Sequence, residues 1–167
     1  MTAFTPILPW QDTTRAALSD IAVNMADDDA REILALRDYR VGLEDLVDEV
    51  AFIIANNMML DGFIAWNEAC KPVACAFAFV SQLPRVCNVV VFGAKDGGRA
   101  GLETYDELIR RIPEFARQFD IRVVQVPVWE GHKVARKLIA RVGGKEVFEY
   151  GPIGRDGERF VHVIWEI

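Results

Sequence analysis

A glycine-rich turn lies between an apolar run and a long amphipathic stretch, reading Val89-Val90-Val91-Phe92-Gly93-Ala94-Lys95-Asp96-Gly97-Gly98-Arg99-Ala100-Gly101. A strand–glycine turn–helix unit leaves backbone N–H groups free at the helix start, where they can hold a phosphate or pyrophosphate. Lys95 and Arg99 add two cations, and a charge-assisted contact of this kind contributes about 1.5–3 kcal/mol. Val91, Phe92, Lys95, Gly97, Gly98, Arg99, Ala100 and Gly101 are therefore the candidate ligand-binding residues. The competing reading is a polar turn whose glycines serve only to permit positive φ. Glu130 and His132 form a second candidate set, as groups that could take up a proton; an imidazole titrating at about 6.5 suits proton transfer near neutrality. The competing reading makes both of them exposed residues at a helix start, Glu130 being favourable there against the helix dipole.

Other polar residues read as structural. His162 alternates with Val161 and Val163 as a satisfied strand histidine, and Tyr150 ends a strand-like run as a half-buried anchor. Lys133, Arg136, Lys137 and Arg141 make a basic helix face, either solvated or directed at an anionic ligand or partner. Cys70, Cys75 and Cys87 fit no common zinc spacing, and the chain has only two histidines, so no metal is expected and all three cysteines read as buried, reduced thiols.

The elements that would position these residues follow from periodicity. Thr13-Thr14 opens a helix through Ala17, Leu18, Ile21, Ala22 and Met25. Asp27-Asp28-Asp29 supplies an N-cap and an acidic first turn for a helical stretch over 30–57, divided at Gly42. The period then changes to 2: Phe63–Trp66, Pro72–Val80 and Arg85–Gly93 read as three antiparallel strands. The helix after the glycine turn runs through Tyr105, Leu108, Ile109, Ile112, Phe115, Ala116 and Phe119. Thr104 and Glu107 have capping-box spacing, which would delay its regular start to that point, and Pro113 predicts a kink or an early end. Ile121–Trp129 is a strand, and His132–Val142 a helix closed by Gly143-Gly144. Glu146–Tyr150 and Arg159–Ile167 are the last two strands. The order ααα-βββ-α-β-α-ββ gives an α+β fold on a mixed, mostly antiparallel, centrally split sheet.

Bulk properties agree with one domain over residues 1–167: half of the residues are apolar and a quarter charged. The net charge of −6 argues against nucleic acid as a partner. No apolar run approaches the roughly 18–20 residues of a membrane span, and no signal peptide is evident, so a cytoplasmic protein is expected. The last strand offers an edge through which a homodimer could pair.

The order of elements, with a glycine turn after the third long strand, resembles the GNAT superfamily of acyl-CoA-dependent N-acyltransferases. That family's loop has Arg or Gln, two residues, Gly, one residue, then Gly or Ala. Lys95, Gly98 and Ala100 fall on those positions, with Lys in first place. Its later helix pattern falls on His132, Ala135, Leu138, Ile139, Arg141, Gly143 and Gly144, with His, Ile and Gly replacing Asn, Tyr and Phe. The resemblance implies an acyl-CoA N-acyltransferase, a splayed sheet, acetyl-CoA or another acyl-CoA as cofactor, and a small-molecule or protein amine as acceptor. It also implies an oxyanion donor among the backbone amides near Val90–Phe92. The family's tyrosine, which protonates the leaving thiolate, is replaced by Ile139, and the usual strand carboxylate is missing from 85–94; Glu130 and His132 stand in for it. The segment from Ala22 to Ile33, with an Asp61-Gly62 turn and a Pro72-Val73-Ala74 strand, is similar to GNAT-like proteins of tailed bacteriophages. That similarity implies an alternative: a catalytically inactive phage or prophage structural or interaction protein, virion-associated rather than cytoplasmic.

Overall fold

A computed structural model describes residues 2–167. In chain order the elements are β1 (Ala3–Pro6), α1 (Asp12–Val23), α2 (Asp27–Ala35), a 3-10 turn (Leu43–Asp45), α3 (Leu46–Ala55), β2 (Met59–Trp66), β3 (Pro72–Val80), β4 (Val86–Gly93), α4 (Gly98–Gln118), β5 (Val123–Trp129), α5 (Lys133–Arg141), β6 (Lys145–Tyr150) and β7 (Phe160–Glu166). The seven strands form one sheet in the order β1-β2-β3-β4-β5-β7-β6, antiparallel throughout except for the parallel β4–β5 pair. Alternation sends side chains to two cores, one on each face. One packs Phe63, Ala76, Val89, Val124 and Val163 against Leu108, Ile112 and Phe115 of α4 and Ala135 and Ile139 of α5. The other packs Ile64, Cys75, Phe77 and Phe92 against α1, α2 and α3. Among the described residues no helix is long and apolar enough to cross a membrane.

Several expectations need correction. β1 is an additional strand, pairing with β2 from Ala3 opposite Trp66 to Pro6 opposite Phe63. β2 begins at Met59, so Asp61-Gly62 is not a turn but lies within the strand beside a register shift. The helical stretch breaks over 36–42, wider than a division at Gly42 alone, and the N-cap of α2 is Ala26, with all three aspartates in the first turn. α4 starts at Gly98 rather than at Thr104: the buried Thr104 hydroxyl donates to the Ala100 carbonyl 2.9 Å away, while Glu107 pairs with Arg110 and Arg111. Pro113 lies within α4, which continues to Gln118. Gly143, at φ +87°, closes α5 in the left-handed region as its sequence suggests. Cys75 and Cys87 are buried free thiols, whereas Cys70 is exposed.

The split in the sheet has a local cause. The parallel ladder pairs only Val86, Cys87 and Asn88 with Val123, Val124 and Gln125. Glu130 donates its N–H to Arg159 of the β7 side, so by alternation Gln125, Pro127 and Trp129 turn their backbone groups toward β4. The next rung would need an N–H from residue 127, and proline has none. Beyond Gln125 the two strands therefore separate. Pro127→Ala should yield a protected amide at position 127 in hydrogen exchange, with overall stability within about 1 kcal/mol of the parent, because a new hydrogen bond offsets the lost stiffness of proline. An amide that exchanges as fast as those of an exposed loop would show that proline is not the cause of the split.

Candidate functional site

The strand ends beyond Pro127 expose backbone groups that need partners, and α2 supplies most of them. Ala94 donates to the Val73 carbonyl at 2.8 Å, which fixes the alternation along β4: Val90 and Phe92 turn toward β3, while Val91 and Gly93 turn toward the gap. Gly93 N–H donates to Asp29 Oδ2 at 2.7 Å, and the Gly93 carbonyl accepts from Ala26 N–H at 2.9 Å. Across the gap, Trp129 N–H donates to Glu32 Oε2 at 2.7 Å. Asp29 and Glu32 are three residues apart, and so lie on one face of α2 and reach the ends of both strands. Val91 remains: its N–H and C=O face the gap beyond the last β4–β5 rung.

Between the two carboxylates sits His132, the residue before α5. Its Nε2 lies 3.2 Å from Asp29 Oδ1 and its Nδ1 3.3 Å from Glu32 Oε2, and the residue is only 6% exposed. Burial disfavours the charged ring, but the Glu32 hydrogen bond and the negative charges of Glu32, Asp29 and Asp28 prevail and raise its pKa. Both ring nitrogens of His132 thus lie within hydrogen-bond reach of a carboxylate, which makes it a clip between two acids rather than a free base. Asp29 is pushed up to about 6, chiefly by burial, with Glu32 and Asp28 adding to the rise and the Gly93 N–H and His132 opposing it. A carboxylate titrating there suits general-base work near neutral pH. Tyr105, on α4, keeps its phenolic proton through the physiological range, because burial and then the charges of Asp29 and Glu32 push its pKa up.

The glycine turn closes the other side of the gap. Gly97 donates to the Ala94 carbonyl at 3.0 Å, and Gly101 to the Gly97 carbonyl at 3.2 Å. The amides of Gly98, Arg99 and Ala100 belong to the first helical turn of α4 and have no acceptor behind them in the helix. Gly98 sits at φ +50°, and a Cβ added at Gly98 or Gly101 would meet open space. Gly97, Gly98 and Gly101, with Val91, Phe92, Tyr105, His132 and Asp29, line a cavity of about 430 Å³.

The candidate residues thus separate into two groups. Val91, Phe92, Gly97, Gly98, Gly101 and His132 converge on the cavity. Ala100 is buried against the core, Lys95 pairs with Asp27 at 2.7 Å, and Arg99 pairs with Glu103 at 2.5 Å while remaining almost fully exposed. Glu130 is half-exposed and pairs with Arg159 at 3.4 Å, away from the Asp29–His132–Glu32 cluster. Sequence reasoning missed Asp29, Glu32 and Tyr105. The signal available was the i, i+3 spacing of Asp29 and Glu32, but Asp29 reads as a helix-start acid and Glu32 has no distinguishing feature of its own. His162 is satisfied, its Nδ1 2.9 Å from the Tyr150 hydroxyl and its Nε2 3.1 Å from Gln125 Oε1. Arg136 and Arg141 of the basic face pair with Glu146 and Asp106. Among the described residues no group of His, Cys, Asp and Glu could hold a metal ion.

No protein-family model matches the sequence, and no curated protein matches it. Solved structures do match in three dimensions. A ribosomal-protein-alanine N-acetyltransferase from Brucella melitensis matches with a TM-score of 0.72 at 15% identity, covering 100% of this chain and 99% of that one. A spermidine N-acetyltransferase from Vibrio cholerae, solved with CoA and spermine, matches with a TM-score of 0.73 at 9% identity over 99% of this chain and 95% of that one. An N-acetyltransferase from Staphylococcus aureus matches with a TM-score of 0.74 at 10% identity over 99% and 98%. The mixed seven-stranded sheet, open between β4 and β5 and flanked by helices on both faces, is the acyl-CoA N-acyltransferase fold of the GNAT superfamily.

Proposed function

We propose that the chain binds an acyl-CoA in the gap between β4 and β5 and transfers its acyl group to an amine. The observation that carries this reading is the opening itself, with free amides at one end, an unpaired strand N–H in the middle and a carboxylate poised to titrate nearby. The fold is shared with N-acetyltransferases, one of them solved with CoA. The residues present fit such a ligand: Gly98 and Gly101 leave room where any larger side chain would intrude, and the amides of Gly98, Arg99 and Ala100 suit a pyrophosphate. An acyl thioester supplies a carbonyl activated toward amines. Val91 N–H points into the gap and can donate to a carbonyl oxygen as negative charge develops on it. Asp29 accepts the proton that an attacking amine must lose. Tyr105 holds a proton for a leaving thiolate, the role that Ile139 cannot fill. His132 keeps Asp29 and Glu32 fixed.

A second reading, a non-catalytic GNAT-fold scaffold or interaction protein, is favoured by Ile139 and by the pairing of Lys95 and Arg99 with carboxylates. Acetyl-CoA binding without CoA release across a broad panel of amines would support it over the enzyme.

Calorimetry with acetyl-CoA and CoA tests the binding step. Gly101→Leu should weaken binding at least tenfold by filling the cavity, while the melting temperature stays level or rises, since glycine costs a helix about 1 kcal/mol. Unchanged affinity in that variant would remove the glycine turn from the site. The pH profile tests the base. Asp29 accepts a proton only when ionised, so kcat/KM should climb as pH rises through about 6. Asp29→Asn retains an oxygen for the Gly93 N–H but should lose that limb and about 10²–10⁴ in rate, with CoA affinity kept. A profile identical to the parent's would exclude Asp29 as the base.

A further inference from the structure

Behind the glycine-turn cavity lies a second, smaller one of about 110 Å³, lined on the α4, α5 and strand sides by Val89, Leu108, Ile109, Val126, Val128 and Ile139. The two cavities share Val91, Tyr105 and Ala135 as lining residues, so they meet at the strand position whose N–H is open to the gap. Its charged lining residues, Glu32 and Arg37, both belong to the α2 side. An apolar cavity of about 150 Å³ accommodates benzene, so about 110 Å³ corresponds to roughly four carbon atoms.

Resting on the acyl-CoA reading above, we infer that the inner cavity is an acyl-chain subsite and that the chain selects short apolar acyl groups longer than acetyl, of about butyryl size. A thioester carbonyl at Val91 N–H has the glycine turn on one side, where the free amides suit the phosphate end of the ligand. The acyl carbons then lie on the other side, against Val89, Val126 and Ile109. An acetyl group occupies only the mouth of the inner cavity and leaves about half of its length empty. Each further methylene moves from water into apolar space that already exists in the fold.

Calorimetry with acetyl-, propionyl-, butyryl- and octanoyl-CoA tests the assignment. Affinity should rise about fourfold per added methylene from acetyl to butyryl and then stop rising or fall at octanoyl, where the chain outgrows the space. Val126→Phe fills the inner cavity without touching the glycine turn. It should abolish the preference for butyryl-CoA and leave acetyl-CoA affinity within about twofold of the parent, flattening a gain of about fifteenfold. Ile109→Phe, which fills the same space from α4, is the parallel test if the β5 variant misfolds. Equal affinities for acetyl- and butyryl-CoA in the parent, or a butyryl preference that survives both substitutions, would overturn the subsite while leaving acyl-CoA binding intact. No affinity for any CoA ester would overturn the acyl-CoA reading itself, and the subsite with it.

Discussion

A parallel pair of strands that stops pairing halfway leaves two rows of polar backbone groups facing each other, and this constraint organises the centre of the protein. Orphaned amides and carbonyls in a buried setting cost about 1–3 kcal/mol each, so a split sheet is stable only where something else satisfies its edges. Pro127 removes one donor outright. Asp29 and Ala26 satisfy Gly93, and Glu32 satisfies Trp129. Val91 is left facing the gap, which makes the strand position least served by the fold the one best placed to serve a ligand.

The electrostatics follow from that arrangement. Two carboxylates brought to two strand ends by a single helix face are close enough to repel, and the His132 ring between them, bonded to both, eases the conflict. His132 fills that place because α5 begins immediately beyond the end of β5. The first turn of α2 also places Asp27, Asp28 and Asp29 where the helix dipole favours negative charge. Asp27 is spent on Lys95, so a cation that could meet a phosphate is held by an acid of the chain itself. Backbone amides at the start of α4, rather than side-chain cations, are therefore the main anion-binding feature of the glycine turn.

Much of the frame was legible in the sequence, and the misses have physical causes. The β3 boundaries are those read from alternation, and β4 and β5 differ by one or two residues at their starts, because buried strands carry unbroken apolar runs between clear turns. β1 escaped notice because four residues containing Thr and Pro carry no alternation that stands out; its partner β2, not its own pattern, makes it a strand. Thr104 and Glu107 had the spacing of a cap, but the helix starts six residues earlier at glycines, and the threonine instead bonds back to the preceding turn. His132 and the glycine turn were singled out because their residue types are unusual where they stand. Asp29 and Glu32 were not, because acids in the first half of a helix have an ordinary explanation and their partners lie 64 and 97 residues away in sequence.

The β6–β7 loop also rests on α2. Arg31 pairs with the buried Glu158 at 3.1 Å and stacks over Trp129, Ala35 accepts from Arg155 N–H at 2.8 Å, and the Tyr39 hydroxyl, just beyond the helix, donates to the Arg155 carbonyl. Nine residues of helix therefore tie both half-sheets and a distant loop into a single cooperative unit. Such a helix cannot fray alone: unwinding its first two turns releases the ends of β4 and β5 together, and the width of the opening and the integrity of the fold become one mechanical property.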